Sequence, residues 1–467
     1  MSCDNKINSA ASSARSTSTA STSANSEDDE ELNENRASFS VHSFSPSSMY
    51  YPGQGEILIS GSNFTASATV TIGGNSCTNI TLYSANTIGC TVPSGGQGTS
   101  SSITVTIGEE SVTASELFLY KDFTAVKTVA GTGVAGSTDG TGDVAQFSDS
   151  VNGLYFSFSN NILYVADGTN RKIRALDFSN ITDISTLSPS DVTVSTLAGD
   201  GTKARVDSAD DTGATASFAQ PEDLVMVGST LYVTDTGWAG GGADLRKVDP
   251  LTGKTTTVSG LTGFINAQLV YDNNFIYLAN DYQHVIHQLN PEDDSFIDFA
   301  GIRGSAGNID SVGTSAKIKH PYGLALSSDG QYLYVGTEAS DVKKINLSTK
   351  KVTTIFGTYS TGGYVDGFST QTKFRSVSKI SAPGNFLFVA DHNNCVIREV
   401  NLTTNEVSTL VGDNSNCGNS DGSISAATLF RTNGISYHPT FGLFFSDSRW
   451  EVQGVSALQS YRIRVLY

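Results

Sequence analysis

The chain has 467 residues, 46 of them Asp or Glu and 28 Lys or Arg, for a formal net charge of −18. Charged side chains make up only 16% and glycine reaches 46 residues, against about a quarter charged in ordinary soluble domains, so the composition favours a turn-rich β protein over helical bundles and coiled coils. The acidic balance argues against nucleic acid as a partner, because that affinity rests on Lys and Arg displacing counterions, and no stretch approaches the roughly 18 consecutive apolar residues that span a bilayer.

Residues 1–38 are Ser/Thr/Ala-rich and end in the acidic run Glu27 to Glu31. Such a segment cannot bury apolar surface and is expected to be a disordered tether. Cys3, alone at its start, resembles the lipid-bearing cysteine of a mature bacterial lipoprotein, although no apolar signal segment precedes it. That resemblance implies export and a lipid anchor at Cys3 as the sole membrane attachment.

The other four of the five cysteines fall into two candidate pairs. Cys77 and Cys90 lie 13 apart among short strands, and Cys395 and Cys417 flank a strand and a Gly/Asn loop. Two disulfides are the expected reading, the second worth about 3 kcal/mol by chain entropy; four buried thiols are the alternative.

Residues 39–121 alternate apolar and polar with turn signals between short runs: EILISGSNF, ATVTIGGNSC, TIGCTVPS, SSITVTIGEESV and ELFLYK. This pattern predicts an antiparallel β-sandwich. FSVHSFSPSSMYYPGQGEILISGSNF followed by VTIGG, CTNI, IGCTVP and LFLY resembles the immunoglobulin-like IPT/TIG domain. That resemblance implies a spacer or adhesive module of a cell surface, without chemistry of its own.

From residue 122 to 467 the chain repeats. A strand ending in glycine recurs at Gly131, Gly199, Gly260, Gly301, Gly357 and Gly412. Each copy is followed by a turn segment, a short strand, a second strand of the LYVAD type and a third of the RKIRAL type. Asp139, Asp210, Asp310, Asp366 and Asp421 each precede an apolar residue by eight positions, and only the third unit lacks this segment. Four-stranded units that cannot bury both faces alone are expected to stack radially into a six-bladed propeller, its first strand completing the last blade. The repeats, best seen in LYVADGTNRKIRAL and LFVADHNNCVIREV, resemble the NHL-repeat family. The fold class expected is therefore all-β: tether, Ig-like sandwich, six-bladed NHL-type propeller.

Several constellations are candidates for function. Asp167, Asp235, Asp281, Asp391 and Asp447 end the second strands and read as turn carboxylates accepting backbone N–H groups. Arg174, Arg398 and Arg464 recur with the same period and read as structural partners of carboxylates or carbonyls. The loop aspartates read as turn residues, with an acidic, cation-attracting rim as the alternative. The starts of the inner strands, Asn152, Glu222 with Asp223, Asn266, Tyr322, Ser378 and Asn433, face the central channel. Oxygens of Asn152, Glu222 and Asn433 are the candidate ligands of a divalent cation such as calcium, as the resemblance to lactonase-like propellers implies; a hydrated polar channel without function is the expected reading and the cation its alternative. His284, His287, His320, His392 and His438 do not recur at equivalent positions, so a shared zinc on the axis is not expected. No nucleophile elbow, phosphate loop, CxxC or HExxH is present, leaving nucleophilic and nucleotide chemistry unsupported.

These readings converge on an exported, non-catalytic protein of the bacterial envelope whose propeller recognises a protein or glycan. The competing expectation is a metal-dependent hydrolase or lyase with its site at the channel mouth around Glu222.

Overall fold

The structure, a computed structural model, describes residues 38–236, 243–258, 268–448 and 460–467. The tether, with Cys3, and Asn266 lie outside the described residues. Phe39–Tyr467 forms one compact unit, built from strands and a few 3₁₀ turns. Among the described residues no helix is long and apolar enough to cross a membrane.

The first nine strands, Ser40 to Lys121, make two packed sheets. Their alternation is the one read in the sequence: in Glu56–Ser62 every second residue is buried, with Ile57 and Ile59 pointing into the core. Cys77 and Cys90 meet inside this sandwich, but as free, buried thiols, so the expected bridge between them is not formed. The hydrogen bond with Cys77 and then burial push the Cys90 thiol far above its ordinary value. A thiol held protonated cannot attack as thiolate. Cys395 and Cys417 do stand at disulfide distance, with Cα atoms 5.5 Å apart.

The remaining strands form six sheets. Blade 1 runs from the inner strand Val151–Ser157 through Ile162–Asp167 and Lys172–Asp177 to Thr193–Ala198. The inner strands of blades 2 to 6 are Pro221–Val227, Gln268–Tyr271, Pro321–Leu326, Val377–Ser381 and Arg431–His438. Blade 6 takes its outer strand from Ala125–Ala130, which pairs antiparallel with Tyr461–Leu466, Val126 opposite Leu466. The first propeller strand thus zips to the last and the ring closes. The recurring glycine has a steric cause. Gly131, Gly199, Gly301, Gly357 and Gly412 all have φ between 78° and 105°, and a Cβ there would lie 2.3–2.4 Å from a carbonyl oxygen of the neighbouring strand.

One polar unit recurs in the blades. Arg174, fully buried, bonds Asp167 at 2.9 Å and Asp139 at 2.6 Å; Arg464 bonds Asp447 at 2.7 Å and Asp421 at 2.9 Å; Arg398 holds Asp391 at 3.2 Å and also Asp366. Arg246 joins Asp235 and, at 3.1 Å, Asp207. Asp207, not Asp210, therefore takes the loop position in blade 2; Asp210 caps its own turn through Thr212 and Thr215. Asp139, Asp310, Asp366 and Asp421 are anchors of buried cations rather than a rim. The apolar residues eight places on, Phe147, Phe218 and Phe374, lie under the guanidinium planes at 5.1–5.2 Å.

Inner strands start at one face of the disc and end at the other. The sandwich is docked on the end face, against the hairpins of blades 5 and 6. Tyr51 packs among Phe123, Phe386 and Phe388 and donates its hydroxyl to Glu399. Tyr437 donates to the carbonyls of Tyr50 at 2.6 Å and Gly53 at 2.9 Å, and Pro439 accepts from the Tyr50 N–H at 2.6 Å. An aromatic, hydrogen-bonded contact of this kind is a rigid joint, not a flexible linker. Tyr51→Ala is expected to destabilise the chain by about 3–5 kcal/mol, the usual cost of truncating a buried aromatic, and to expose residues 121–125 to limited proteolysis. Tyr83→Ala, at a position 57% exposed, should stay within about 0.5 kcal/mol in the same denaturant titration.

Candidate functional site

The face opposite the sandwich carries the starts of the inner strands and the turns that follow the second strands. Its centre is closed below the surface. Lys379 of blade 5 reaches across the axis to Asp223 of blade 2 at 2.6 Å, both buried, and the same carboxylate accepts the Leu269 N–H of blade 3 at 2.8 Å. Gln268 of blade 3 donates to the Ser378 carbonyl of blade 5 at 3.0 Å. The expected hydrated channel is therefore crossed by an ion pair and an amide. Burial raises the Asp223 carboxyl and Lys379 opposes that rise.

Above this plug sits Glu222. Its carboxylate accepts from the Asn152 amide of blade 1, from Gln220 at 2.7 Å and from Thr236 at 3.3 Å. Burial pushes it up to about 7 against the pull of these three donors, with Asp223 adding a smaller rise. Asn433, the third residue expected around a channel cation, instead hydrogen-bonds His392, and His392 also contacts the Thr432 carbonyl at 3.3 Å. Burial lowers His392 to about 4, so it is neutral at pH 7. Asn152 and Glu222 are thus brought together, but through a donating amide nitrogen; Asn433 belongs to a neighbouring pair. Tyr322 lies between Glu222 and a second group, and its phenol is raised well above the ordinary range by burial and by the charges of Glu222, Asp281, Glu338 and Asp223.

That second group was not assembled in the sequence. The alignment of second strands equates Asp167 with Asn280, not Asp281: Asn280 faces Val285 as Asp167 faces Lys172. Asp281 is the next residue, and it turns to His320 of blade 4, Oδ1 to Nδ1 2.5 Å. Glu338, which follows the second strand of blade 4, completes the cluster. The extra residue in IYLAND against LYVAD was the signal that shifts Asp281 out of the structural set.

Two consequences can be measured. Lys379→Met leaves a buried carboxylate unpaired and is expected to cost about 3–5 kcal/mol in urea unfolding, whereas Lys379→Met with Asp223→Leu should recover most of that loss. Glu222 has a folded pKa of about 7, above its unfolded value of 4.5. Its contribution to stability is full below about pH 4.5 and is lost as pH rises through 7. Glu399, raised to about 7 first by burial and then by Glu406, acts in the same window and direction. Glu222→Gln is therefore expected to reduce, and not abolish, the fall in melting temperature between pH 5 and 8.

Residues 40–120 match the IPT/TIG domain family. NHL repeat-containing protein 2 of Homo sapiens is 34% identical over 107 residues, 22% of this chain and 15% of that protein; the chain matches less than a third of the length of such curated relatives. A solved structure of a protein of unknown function from Bacteroides thetaiotaomicron superposes with a TM-score of 0.59 at 18% identity, covering 92% of this chain and 98% of that one. An auxiliary nutrient binding protein from Bacteroides ovatus superposes with a TM-score of 0.53 at 14% identity, over 91% and 97%. Residues 40–120 thus form an IPT/TIG domain, and the closed six-sheet β-propeller that follows has repeats similar to those of NHL repeat-containing proteins.

Proposed function

We propose that this is an exported, non-catalytic binding protein of the bacterial envelope that recognises a glycan on the propeller face opposite the sandwich. The observation that carries the reading is the character of that face. Asn152, Gln220, Glu222, Tyr322, His392 and Asn433 lie at the inner-strand entries and the turn beside them, over an axis crossed by Asp223 and Lys379. Planar amides and carboxylates beside an aromatic ring suit a hydroxyl-rich, uncharged ligand, because they offer paired donors and acceptors that a sugar can meet in-plane. A sealed floor makes a shallow receptor rather than a conduit. The fold is shared with a protein described as nutrient binding, which supports the same class. A protein ligand is the other outcome of the test. Export and lipid attachment at Cys3 complete the proposal, resting on the Ser/Thr tether and its leading cysteine.

Glycan-array screening of the full chain, followed by calorimetry on the hits, tests the reading. Asn152→Ala and Glu222→Ala are each expected to weaken binding at least tenfold, while Tyr83→Ala on the sandwich leaves it unchanged. Glycan affinity that survives both mouth substitutions, or capture of a protein through the sandwich alone, would overturn the assignment to this face. Mass spectrometry of the native membrane fraction checks the anchor: an unmodified Cys3 thiol removes it.

A further inference from the structure

On the rim of the same face, two neighbouring blades place ligand-type side chains at equivalent positions. Asp281 and Glu338 are the residues immediately after the second strands of blades 3 and 4, and His320 directly precedes the inner strand of blade 4. In the other blades the corresponding residues are Gly168, Thr236, His392 and Ser448, so the pairing of two carboxylates is particular to this one boundary. One ligand atom from each of Asp281, His320 and Glu338 can be chosen so that all three lie within 4.8 Å of one another. That spread is what a single ion with metal–ligand distances of about 2.0–2.2 Å requires with modest side-chain adjustment.

Further features point to a ligand between them. The Glu338 carboxylate accepts no hydrogen bond among the described residues, while lying within reach of Asp281 and His320. Its backbone N–H is pinned to the His320 carbonyl at 3.1 Å, which fixes the two residues relative to each other before any ion arrives. His284 accepts the His320 N–H at Nδ1, 3.2 Å, and stands edge-on to the His320 ring with centroids 4.5 Å apart. It therefore buttresses the imidazole as a positioning residue. Asp281 is buried while Glu338 is exposed, giving an anchored ligand on one side and an entry path on the other.

We propose that Asp281, His320 and Glu338 form a binding site for a divalent transition metal of the zinc type, with open coordination positions facing the propeller mouth. An imidazole nitrogen in the set selects against the hard ions calcium and magnesium, which take oxygen ligands. Three protein ligands with an open position are also the arrangement in which a metal can hold a further group from solution. The site goes beyond the glycan reading and stands or falls separately from it.

The test uses the untagged full chain, stripped with chelator and titrated calorimetrically with zinc chloride and, in parallel, calcium chloride. One zinc per chain is expected, with calcium heat absent at the same concentrations. His320→Ala and Glu338→Gln are each expected to weaken zinc binding at least tenfold. Because Glu338 is exposed, its variant should melt as the parent does and keeps the test meaningful if His320→Ala misfolds. No zinc uptake by the parent chain, or unchanged affinity in Glu338→Gln, overturns the proposal. So does uptake that Glu222→Gln abolishes and Glu338→Gln preserves, which would move the ion to the mouth.

Discussion

A guanidinium buried between two carboxylates organises four of the six blades. Burying such a charge is expensive unless every donor is used, and Arg464 uses them: Asp447, Asp421 and the carbonyls of Thr428 and Ser420 all lie within 3.0 Å. The carboxylate at the end of the second strand then reaches on. Asp167 accepts the Ser148 N–H, Asp235 those of Ala219 and Gln220, Asp391 that of Arg375 and Asp447 that of Phe430. Each of these amides lies just before an inner strand. A cation deep in the blade thus fixes where the chain enters the mouth, and so which side chain stands at the rim.

Blades 3 and 4 relax this rule. Blade 3 has Asn280 and a His287 that burial lowers to about 4, so it joins Asp298 and Asn280 as a neutral ring. Blade 4 has Thr337 and Lys343, which bonds Thr354 at 2.7 Å and stands 3.4 Å from Asp310. With no carboxylate at positions 280 and 337 to hold the inner-strand entry, the residues just beyond, Asp281 and Glu338, and the entry residue His320 interact with one another instead. Departure from the repeat and appearance of a ligand-type cluster occur at the same boundary, as expected when structural consistency is given up locally for a site.

Much of the fold was legible because its causes are periodic. Glycine after the outer strand and, in four blades, a third-strand arginine with its loop aspartate each answer a constraint that the repeat meets again and again. The strands of the sandwich were legible for the same reason, through alternation along Glu56–Ser62. What escaped was aperiodic. Lys379 was hidden because its partner Asp223 lies 156 residues away, and only ring closure makes blades 2 and 5 opposite. Asp210 was read in the place of Asp207 because both precede Phe218 in one Asp-rich loop, and only the reach of Arg246 separates them. Asp281 was misplaced by a single inserted residue. Glu338 carries no motif at all; its meaning comes from lying beside His320 in space.

The two ends of the disc have opposite characters, and the docking of the sandwich explains why this matters. Aromatic rings of Tyr51, Phe123, Phe386 and Phe388 pack the sandwich onto the end face at blades 5 and 6. The Asp223–Lys379 pair seals the axis from the other side. The proposed binding surface is the start face, where amides, Glu222 and the Asp281–His320–Glu338 cluster lie and where Tyr322 feels the charges of both Glu222 and Asp281. On the proposed reading, recognition uses that surface, set between two features of the fold: a rigid joint at the opposite face and a buried ion pair across the centre.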